Sequence, residues 1–535
     1  MGTVSGDPRP LKHWGWGYAA EQPSLDELRQ AGVGLREHLG FGELEPEAPA
    51  VVGALRPPRL SAPASLAALC SVDDHVRARH SYGRSYRDVV RGFRGAFENP
   101  PDVVALPGSE QEAEAVLEWA VGAGAAVIPY GGGTSVVGGV EPPLGASAVV
   151  TIDLGRMDRV LEVDDVSLSA RIQAGASGPV LEEQLAARGL TLRHFPQSFS
   201  FQTLGGAIAT RAGGHFATRQ THIDDFVESV RAVTPVGVWE SRRLPGSGAG
   251  VSPDRILMGS EGVLGLITEA WVRVLRRPSF RASTTVRFAR WEDGVEAVRA
   301  IVQSGLTPAN CRLVDADEAR LTFAGDGSRA LLLLAFESAA FEVDSALRSA
   351  LTFCEAGEWD ELRNEGRPAG SAADTWRSTF VRAPYLRDTF VALGVISETF
   401  ESAITWDQLE RFVASVLEAT REAVRSVCGQ GSVTCRLTHV YPDGTAPYFT
   451  VVAPARRGYE LEQWEAVKAA ASDAVIAAGG TITHHHAVGR DHRPWYDRQR
   501  PDVFARALAS AKAEVDPTWA LNPGVLIDPG VFVDR

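Results

Sequence analysis

A glycine run that directly follows a short apolar segment constrains this chain more than any other feature. Three glycines at 131–133 follow apolar residues 125–128 and precede two hydroxyl residues, Thr134 and Ser135, and a second glycine pair lies at 138–139. Glycine permits positive φ and lets a ligand approach bare backbone amides. The two hydroxyls add neutral donors. The pattern therefore predicts a strand that ends in a loop able to hold a pyrophosphate without a cation.

Two common nucleotide loops do not fit this segment. A Walker loop ends in Gly-Lys-Ser/Thr, whereas the residue after Gly139 is Val140. A nicotinamide-dinucleotide fingerprint needs Gly-x-Gly-x-x-Gly opening a helix, and the spacing here does not provide it. The leading interpretation is a flavin loop.

Two more segments of small and hydroxyl residues follow in the same half of the chain. Residues 197–214 read QSFSFQTLGGAIATRAGG, and residues 259–269 read GSEGVLGLITE. One such segment alone is typical of a tight turn between packed elements. Three of them together favour a long, extended cofactor that lies along backbone amides.

Length, charge and cysteine usage narrow the class of protein. A chain of 535 residues is too long for one core and predicts two or three domains. A net charge of −14 argues against a nucleic-acid partner. The five cysteines form no CxxC pair, so we expect them to be reduced and buried in a cytosolic protein. No apolar run approaches the length of a membrane span, and no secretory signal is recognisable at the N-terminus.

The periodicity of apolar residues predicts four parts. Residues 1–98 form an N-terminal helical extension with little core of its own, and residues 99–278 alternate strand and helix. Residues 279–489 contain two similar blocks of helix and strand, which predict an α/β cap domain over a sheet. Residues 490–535 return to the body. The predicted helices are 25–40, 111–122, 179–188, 291–304, 344–355, 406–427 and 461–478. The predicted strands are 103–106, 125–130, 147–154, 167–173, 331–336, 433–440 and 448–452.

Three adjacent histidines at 484–486 mark the second half. On an extended segment neighbouring side chains point to opposite sides, so at most two of the three would face one pocket. A surface histidine run, or a metal site completed by His492, is an alternative, although Asp491 gives such a site only weak acidic support. A histidine pair that faces a flavin, as acid/base or anion-binding groups, is favoured over both, and no metal is expected.

As a set, the three glycine-rich segments resemble the FAD-binding domain of the vanillyl-alcohol-oxidase type. The resemblance implies an α+β fold, with a two-subdomain FAD-binding domain of PCMH/VAO type and an α/β cap domain over the flavin. Relatives with covalent flavin usually carry His or Cys in or beside the phosphate loop. Residues 129–140 contain neither, so noncovalent FAD is implied, and His215 is expected to be an ordinary residue near the cofactor. The implied cofactor-binding residues are Pro129, Tyr130, Gly131, Gly132, Gly133, Thr134, Ser135, Gln197, Ser198, Thr203, Gly205, Gly206, Thr210, Arg211, Ala212, Gly213, Glu261, Gly262, Gly265 and Ile267.

The second half narrows the resemblance. Residues 483–490 closely resemble the Ser-His-His-His-Gly-Val-Gly-Lys segment of the alkyldihydroxyacetonephosphate synthase family. Three departures are Ala487 in place of glycine, Arg490 in place of lysine, and Pro447 just before a tyrosine that matches the family's catalytic residue. Further matching segments lie at 14–18, 194–198, 210–212, 311–313, 385–388, 397–401, 406–407 and 434–438.

This resemblance implies an exchange reaction in which flavin is used without net oxidation. Acyl-dihydroxyacetone phosphate exchanges its fatty acid for a fatty alcohol, through an adduct at flavin N5. A phosphate monoester calls for the forked donors of a guanidinium, which Arg387 can supply. Tyr448 would remove a proton at C1, with its pKa lowered by positive charge on His485, His486 or Arg312. Thr399 and His484 are also implied in substrate binding.

An alternative is a true redox enzyme on the same scaffold. An FAD-dependent dehydrogenase or oxidase of a 2-hydroxy acid, or of another small alcohol, would suit the glycine motifs and Asn522-Pro523-Gly524 equally well. A flavin-binding protein without catalysis would not need clustered Tyr, His and Arg. The resemblance further implies a cytoplasmic homodimer that binds a phosphorylated, lipid-like substrate and a fatty alcohol, with at most peripheral membrane contact and no nucleic acid.

Overall fold

The computed structural model describes residues 9–359, 363–364 and 385–529. The helices are α1 Leu25–Leu39, α2 Asp74–Arg79, α3 Tyr86–Phe93, α4 Glu110–Gly122, α5 Gly178–Ala186, α6 Leu204–Thr210, α7 Pro253–Leu257, α8 Trp291–Gln303, α9 Ala316–Leu321, α10 Asp344–Leu351, α11 Leu409–Cys428, α12 Glu460–Ala477, α13 Arg493–Gln499 and α14 Asp502–Val515. A further helical stretch covers residues 385–392.

The strands fall into four sheets. They are β1 Cys70–Ser71, β2 Val103–Ala105, β3 Ala126–Tyr130, β4 Val149–Asp153, β5 Val160–Asp164, β6 Ser169–Gln173, β7 Leu190–Thr191, β8 Val227–Thr234, β9 Gly237–Glu240, β10 Leu266–Arg273, β11 Leu275–Arg276, β12 Phe280–Phe288, β13 Asn310–Val314, β14 Ala330–Ser338, β15 Gly357–Trp359, β16 Arg363–Asn364, β17 Val395–Glu401, β18 Ile404–Thr405, β19 Ser432–Val440 and β20 Gly444–Pro454.

Every helix and strand predicted from periodicity is confirmed, with boundaries that differ by a few residues. The largest difference is at β20, which extends several residues beyond the predicted strand 448–452. It is longer because β19 and β17 pair with it on its two sides, and this pairing continues through residues of weaker strand propensity. Helix α10 ends at Leu351, four residues before the predicted end.

The first half contains two sheets that share one hydrophobic core. In the first sheet β2, β4 and β3 run parallel, in the order β1-β2-β4-β3. The second sheet is antiparallel, with the order β5-β6-β10-β8-β9. Val127 of the first sheet and Ile172 of the second lie in the same buried cluster, with Leu521 of the C-terminal segment. This is the expected two-subdomain arrangement.

The second half is built on a nine-stranded sheet whose two blocks are related by pseudo-symmetry. The first block contributes β12, β13 and β14, and the second contributes β17, β19 and β20. These six strands lie in the order β12-β14-β13-β19-β20-β17, so β13 and β19, the second strand of each block, are neighbours at the centre. Helices α8, α10, α11 and α12 cover one face and form the second core with it. Residues of α9 and α1 pack on part of the opposite face, and the rest of that face is directed toward the first half. The two similar blocks predicted for residues 279–489 are therefore present.

The N-terminal residues connect the two halves. Helix α1 begins at a capping box, in which the Glu27 amide donates to Ser24 Oγ and the Glu27 carboxylate accepts from the Ser24 amide. It ends at Gly40, where φ is +83°. Trp14 and Phe93 are buried in the second core. The extension thus adds side chains to the core of the cap, which agrees with the expectation that it has little core of its own. The domain boundaries at 98, 278 and 489 stay predictions, and parts of three of the four predicted domains lie outside the described residues.

All five cysteines are free, but only three of them are buried; Cys70 and Cys428 are half-buried, so the expectation of full burial was wrong for these two. Among the residues that the structure describes, no helix is both long enough and apolar enough to cross a membrane.

Candidate active site

A cavity of about 520 Å³ separates the glycine-rich segments of the first half from the face of the nine-stranded sheet that is directed toward them. One side, here called the glycine wall, consists of residues 129–136, 196–214 and 261–267 that line the cavity. The other side, here called the sheet wall, consists of the cavity-lining residues of β13, β17, β19 and β20.

The glycine wall is held together by backbone packing. A Cβ at Gly132 would overlap the carbonyl oxygen of Phe201, and a Cβ at Gly131 would overlap Oγ1 of Thr203. Gly133 has φ of +64°, in the region that favours glycine. Close ligand approach was the reason expected for these glycines. The structure adds a second reason, because the first two glycine-rich segments touch without room for a methyl group.

Unpartnered amides give this wall its binding capacity. Within the described residues, the amides of Gly132, Gly133 and Thr134 donate to no protein acceptor. The Ser135 hydroxyl oxygen accepts from the Gly139 amide at 2.9 Å, which holds the loop in shape. Amides directed into a cavity at a glycine loop are the donors that a pyrophosphate requires. The residues present therefore fit FAD.

Nearly all of the residues expected to bind the cofactor line this cavity, and the exception is Arg211. Arg211 ends α6 in the left-handed conformation, with φ of +52°. Its side chain turns outward, where Nε donates to Asp224 at 2.7 Å. The roles of the lining residues as FAD contacts stay predictions.

Glu261 joins three separate segments at the cavity. Its two carboxylate oxygens accept from the amides of Val488 and Gly489, each at 2.8 Å. Its carbonyl oxygen accepts from Asn522 Nδ2 at 2.7 Å. Burial raises the pKa of Glu261 to about 7. The third glycine-rich segment, the residues that follow the histidine block and the C-terminal segment are therefore fixed to one another here.

The sheet wall arises from side-chain alternation along four strands, interrupted in β19 by a register shift between Leu437 and His439. Successive side chains of a strand point to opposite faces, so one face packs on helices and the other lines the cavity. The helix-facing residues in the second core are Cys311, Leu313, Ile396, Phe400, Cys435, Leu437, Phe449 and Val451. The cavity-lining residues are Arg312, Ser397, Thr399, Arg436, Thr438, His439, Tyr448, Thr450 and Val452.

Tyr448 lies beneath a buried arginine. The Arg436 guanidinium carbon is 3.8 Å from the centroid of the Tyr448 ring. Arg436 Nη1 also donates to Thr450 Oγ1 at 3.1 Å and pairs with Glu318. Burial raises the pKa of Tyr448 above its ordinary value, while Arg436, a hydrogen bond with Thr399 and the charge of Arg387 act in the opposite direction.

The expected source of positive charge near Tyr448 was partly wrong. Burial lowers the pKa of His485 and of His486 to about 3, so both imidazoles are neutral at neutral pH. The cations that act on Tyr448 are Arg436 and Arg387. Sequence reasoning missed Arg436, although it lies two residues before Thr438 on the same face of a predicted strand, and that spacing was the available signal.

Arg387 reaches the cavity from the helical stretch 385–392. Its Nη1 donates to the carbonyl of Arg84 at 2.6 Å, and its Nε has no acceptor among the described residues. The next residue, Asp388, accepts from Lys12 Nζ at 2.8 Å and from the amide of Trp16. The N-terminal Trp-Gly-Trp-Gly segment thus holds the stretch that carries Arg387.

The three histidines do not lie on the extended segment that was expected, although two of them, as expected, line one cavity. Their backbone curves around the buried carboxylate of Glu401, which accepts from the amides of His484, His485 and His486 at 2.6, 3.0 and 3.0 Å. Thr483 Oγ1 donates to the same carboxylate at 2.7 Å. Because of this curvature the neighbours His485 and His486 both line the cavity, whereas His484 lies behind them. Sequence reasoning missed Glu401.

A metal site at the histidines is not favoured by this arrangement. Ring nitrogens of His439, His484 and His485 come within 4.8 Å of one another. The nearest carboxylate, Glu401, already accepts four hydrogen bonds, so it is not available as an anionic ligand. His492, the histidine considered as a further ligand, is not in this cluster, and its Nδ1 donates to the Ala487 carbonyl at 3.0 Å.

The far end of the cavity is apolar. Its lining comes from α1, from the region of α9 and from the stretch 385–392, and includes Leu35, Leu39, Leu321, Phe323, Leu386 and Phe390. Val452 of β20 packs in a cluster with several of these residues. The cavity therefore runs from a polar, amide-rich end past Tyr448 and Arg387 to a hydrocarbon-like end.

Comparison with known proteins agrees with this geometry. Residues 101–241 match the model of an "FAD binding domain", and residues 277–526 match "FAD linked oxidases, C-terminal domain". The chain is 32% identical over 479 residues to the alkyldihydroxyacetonephosphate synthase of Dictyostelium discoideum, covering 85% of this chain and 78% of that protein. It is 30% identical over 481 residues to the synthase of Trypanosoma brucei brucei, with the same coverage. A solved structure of alkyldihydroxyacetonephosphate synthase superposes with a TM-score of 0.79 at 26% identity, covering 96% of this chain and 98% of that one.

Proposed function

The chain belongs to the alkyldihydroxyacetonephosphate synthase family, and from this premise we propose that it exchanges the acyl chain of acyl-dihydroxyacetone phosphate for a fatty alcohol. The cofactor is FAD, which supplies the electron-accepting centre of the reaction. The observation that carries the proposal is one cavity that joins amide donors, a buried Tyr–Arg pair and an apolar end.

Arg387 is the proposed phosphate-binding group. A guanidinium presents several donors in a plane and binds phosphate oxygens with two hydrogen bonds at once. Arg387 is largely buried, and one of its nitrogens is already fixed by the Arg84 carbonyl, so little side-chain entropy is lost when phosphate binds. The phosphate would then lie at the polar part of the cavity, beside Tyr448.

Tyr448 is the proposed group that holds and moves a proton at C1 of the substrate. Its phenol is 3% exposed, so bulk water does not compete for the proton. Arg436 over its ring favours the phenolate, although burial opposes that form. His485 and His486 stand against the same ring, with centroids 6.1 and 5.5 Å away, and both are neutral. We propose that the two histidines orient the reacting groups or exchange protons with them, and that they supply no positive charge.

The apolar end of the cavity suits the hydrocarbon chains of both substrates. Burial of each CH₂ group contributes about 0.8 kcal/mol, so a long chain binds well only where the lining is continuous. Side chains of α1 close this end, which gives the N-terminal extension a role in substrate binding.

The decisive experiment incubates the enzyme with acyl-dihydroxyacetone phosphate and a labelled long-chain alcohol, without an electron acceptor. The synthase function requires the label to appear in an ether product while the flavin ends the cycle oxidised. A dehydrogenase of 2-hydroxy acids would instead bleach anaerobically with the hydroxy acid and turn over only when an acceptor is added. That second result would overturn the proposal.

Two variants test the assigned groups in the same assay. Tyr448→Phe deletes one hydroxyl and should lower ether formation by about 10²-fold or more, with FAD still bound. Tyr459→Phe, at an exposed tyrosine, is the matched control. Arg387→Ala should weaken substrate binding by about 1.5–3 kcal/mol, the usual worth of a charge-assisted contact. Full activity of Tyr448→Phe would show that the catalytic group is elsewhere, with His485 the next candidate.

The mode of flavin attachment, the assembly and the location extend the proposal. We infer noncovalent FAD, a homodimer, and a cytoplasmic protein that touches membranes only peripherally to collect its lipid substrates. Acid precipitation should release the flavin, and flavin in the pellet would demonstrate a covalent link. Light scattering tests the dimer. Activity on long-chain substrates without any flotation on liposomes would remove the membrane contact.

A further inference from the structure

We propose that a hydrogen-bonded chain of five side chains carries protons between the active-site cavity and the partly exposed surface beside α6. The chain, here called the file, consists of His485, His484, Tyr441, Thr221 and His222. The proposal deepens the proposed function, on which it rests for one of its two tests. It also assigns the nitrogen of His485 that exchanges protons with the site.

The five side chains form an unbroken series of hydrogen bonds. His485 Nδ1 lies 3.1 Å from His484 Nδ1, and His484 Nε2 lies 2.7 Å from the Tyr441 hydroxyl. The Tyr441 hydroxyl lies 3.1 Å from Thr221 Oγ1, which lies 3.2 Å from His222 Nδ1. Three of the four steps have ordinary hydrogen-bond lengths, and the step between the Tyr441 and Thr221 hydroxyls is slightly longer than is usual for two hydroxyls.

The two ends of the file lie in different surroundings. His485 lines the cavity, and its ring lies parallel to that of Tyr448 within 22°. His222 does not line the cavity, and part of its surface is exposed. A proton that travels along the file therefore enters or leaves the site without passing through the space that substrate and cofactor would fill.

His222, at the outer end of the file, sets the direction of every hydrogen bond in the series. His222 Nε2 lies 3.0 Å from the carbonyl oxygen of His484, which can only accept, so Nε2 carries a hydrogen. In neutral His222, Nδ1 then accepts from the Thr221 hydroxyl. The Thr221 oxygen in turn accepts from Tyr441. The Tyr441 oxygen accepts from Nε2 of His484.

At the cavity end, the donor and the acceptor follow from the same series of hydrogen bonds. Neutral His484, with its hydrogen on Nε2, has a lone pair on Nδ1, which accepts from Nδ1–H of His485. Neutral His485 therefore carries its lone pair on Nε2. The sequence could not assign this nitrogen, because the tautomer depends on partners that lie more than 200 residues away in the chain.

One proton transfer at each bond moves a charge along the file. When Nε2 of His485 takes a proton from the site, its Nδ1 proton passes to His484, and the Nε2 proton of His484 passes to Tyr441. The Tyr441 proton passes to Thr221 and the Thr221 proton to His222, which ends as a cation. No electron moves and no other bond breaks. The return of a proton runs through the same bonds in reverse.

Electrostatics favours charge at the outer end. Burial lowers the pKa of His485 to about 3 and that of His484 well below its ordinary value, so neither retains a positive charge. The Asp225 carboxylate accepts from the backbone amide of His222 at 3.3 Å, which places a negative charge beside the residue that ends as the cation. The titratable and charged groups that face the file from the elements packed against it are Glu401, His439, Arg312, Arg436, His194, His486, Asp225 and Asp443.

The first test needs no turnover. Nitrogen-15 NMR of histidine-labelled, FAD-loaded enzyme distinguishes protonated from unprotonated ring nitrogens, and His485→Gln identifies the His485 signals. We expect hydrogen on Nδ1 and none on Nε2 of His485. Hydrogen on Nε2 in the resting enzyme would overturn the assignment and, with it, the direction of the file.

The second test measures deuterium entry at C1 of acyl-dihydroxyacetone phosphate in D₂O. Tyr441→Phe and Thr221→Val each remove one hydroxyl of the file, and Tyr86→Phe is a matched buried control outside it. We expect deuterium entry to slow by about tenfold to a hundredfold in the first two variants, with FAD content and KM unchanged. Entry at the wild-type rate in both would refute the file. A wild-type enzyme that makes no ether product would instead refute the proposed function, and the NMR test would still decide on the file.

Discussion

The glycine wall and the sheet wall face each other across the same cavity, yet one offers backbone amides and the other side chains. On the glycine wall the groups that fit a pyrophosphate are backbone amides, which nearly every residue type has. Glycine is needed there because no larger residue fits. On the sheet wall the groups that fit the chemistry are Tyr448, Arg436 and Arg312, and any extended strand could present them. We therefore expect substitutions on the glycine wall to act by steric overlap, and those on the sheet wall to act by changing charge.

The largest effect is expected from Gly132→Ala, the addition of one methyl group to the glycine wall. That methyl would overlap the Phe201 carbonyl, so the first two glycine-rich segments must separate. We expect purified protein almost without flavin, measured as the ratio of flavin to protein absorbance. Gly53→Ala, where a Cβ meets nothing, is the control and should retain FAD. Normal FAD content in Gly132→Ala would show that the wall is more yielding than its packing indicates.

Glu401→Gln should produce the next largest effect. The carboxylate accepts four hydrogen bonds from residues 483–486, whereas an amide would turn its NH₂ group toward at least one of those donors. Each unpaired buried donor costs about 1–3 kcal/mol, so the histidine segment should lose its shape. Ether formation should fall sharply while the glycine wall still binds FAD. Loss of FAD to the same extent would contradict the separation of the two walls.

A change of charge on the sheet wall should shift a pH profile. Arg436 lowers the pKa of Tyr448, so its removal should raise that pKa. If the phenolate is the active form, the limb of the activity profile that rises with pH moves to higher pH, by about one unit. The double variant Arg436→Gln/Glu318→Gln avoids leaving a buried carboxylate unpaired. Arg425→Gln, at an exposed arginine, is the control. A lower rate with an unmoved profile would assign Arg436 a purely structural role.

The smallest effect is expected from Ala487→Gly, beyond the histidine block. Ala487 has φ of +73°, where a side chain costs about 1–2 kcal/mol. Glycine removes this strain. It also raises the conformational entropy of the unfolded chain, which offsets part of the gain in stability by about 0.4–1 kcal/mol. We expect a rise of roughly 0.5 kcal/mol in the free energy of unfolding, measured with denaturant. A decrease would mean that packing of the Ala487 methyl outweighs the strain.

The fold was largely predictable because its signals are local. The strands on the sheet wall alternate, the helices that cover them are amphipathic, and α1 begins at Ser24 with Glu27 three residues on. The three glycine-rich segments indicated FAD because unusual composition marks the sites where the backbone itself must bind. Boundaries failed where pairing extended an element, as at β20.

The site was predictable only in part, because its energetics come from contacts between distant residues. Tyr448, Arg387, His485 and His486 were named from the sequence and all line the cavity. The neutral state of the histidines was missed because it depends on their burial. The place of Arg436 over Tyr448 depends on the register between β19 and β20, where the two residues are direct partners.

The sequence by itself determined the local features of this protein: the alternation of its strands, the glycine segments and the residue types from which the site is built. These follow from the size and polarity of each side chain in its own segment. Only the tertiary structure decided which of those residues meet, which charges survive burial, and where the protons reside in the histidine file. Such properties depend on desolvation and on hydrogen-bond partners such as His484 and Tyr441, which folding alone brings within 2.7 Å.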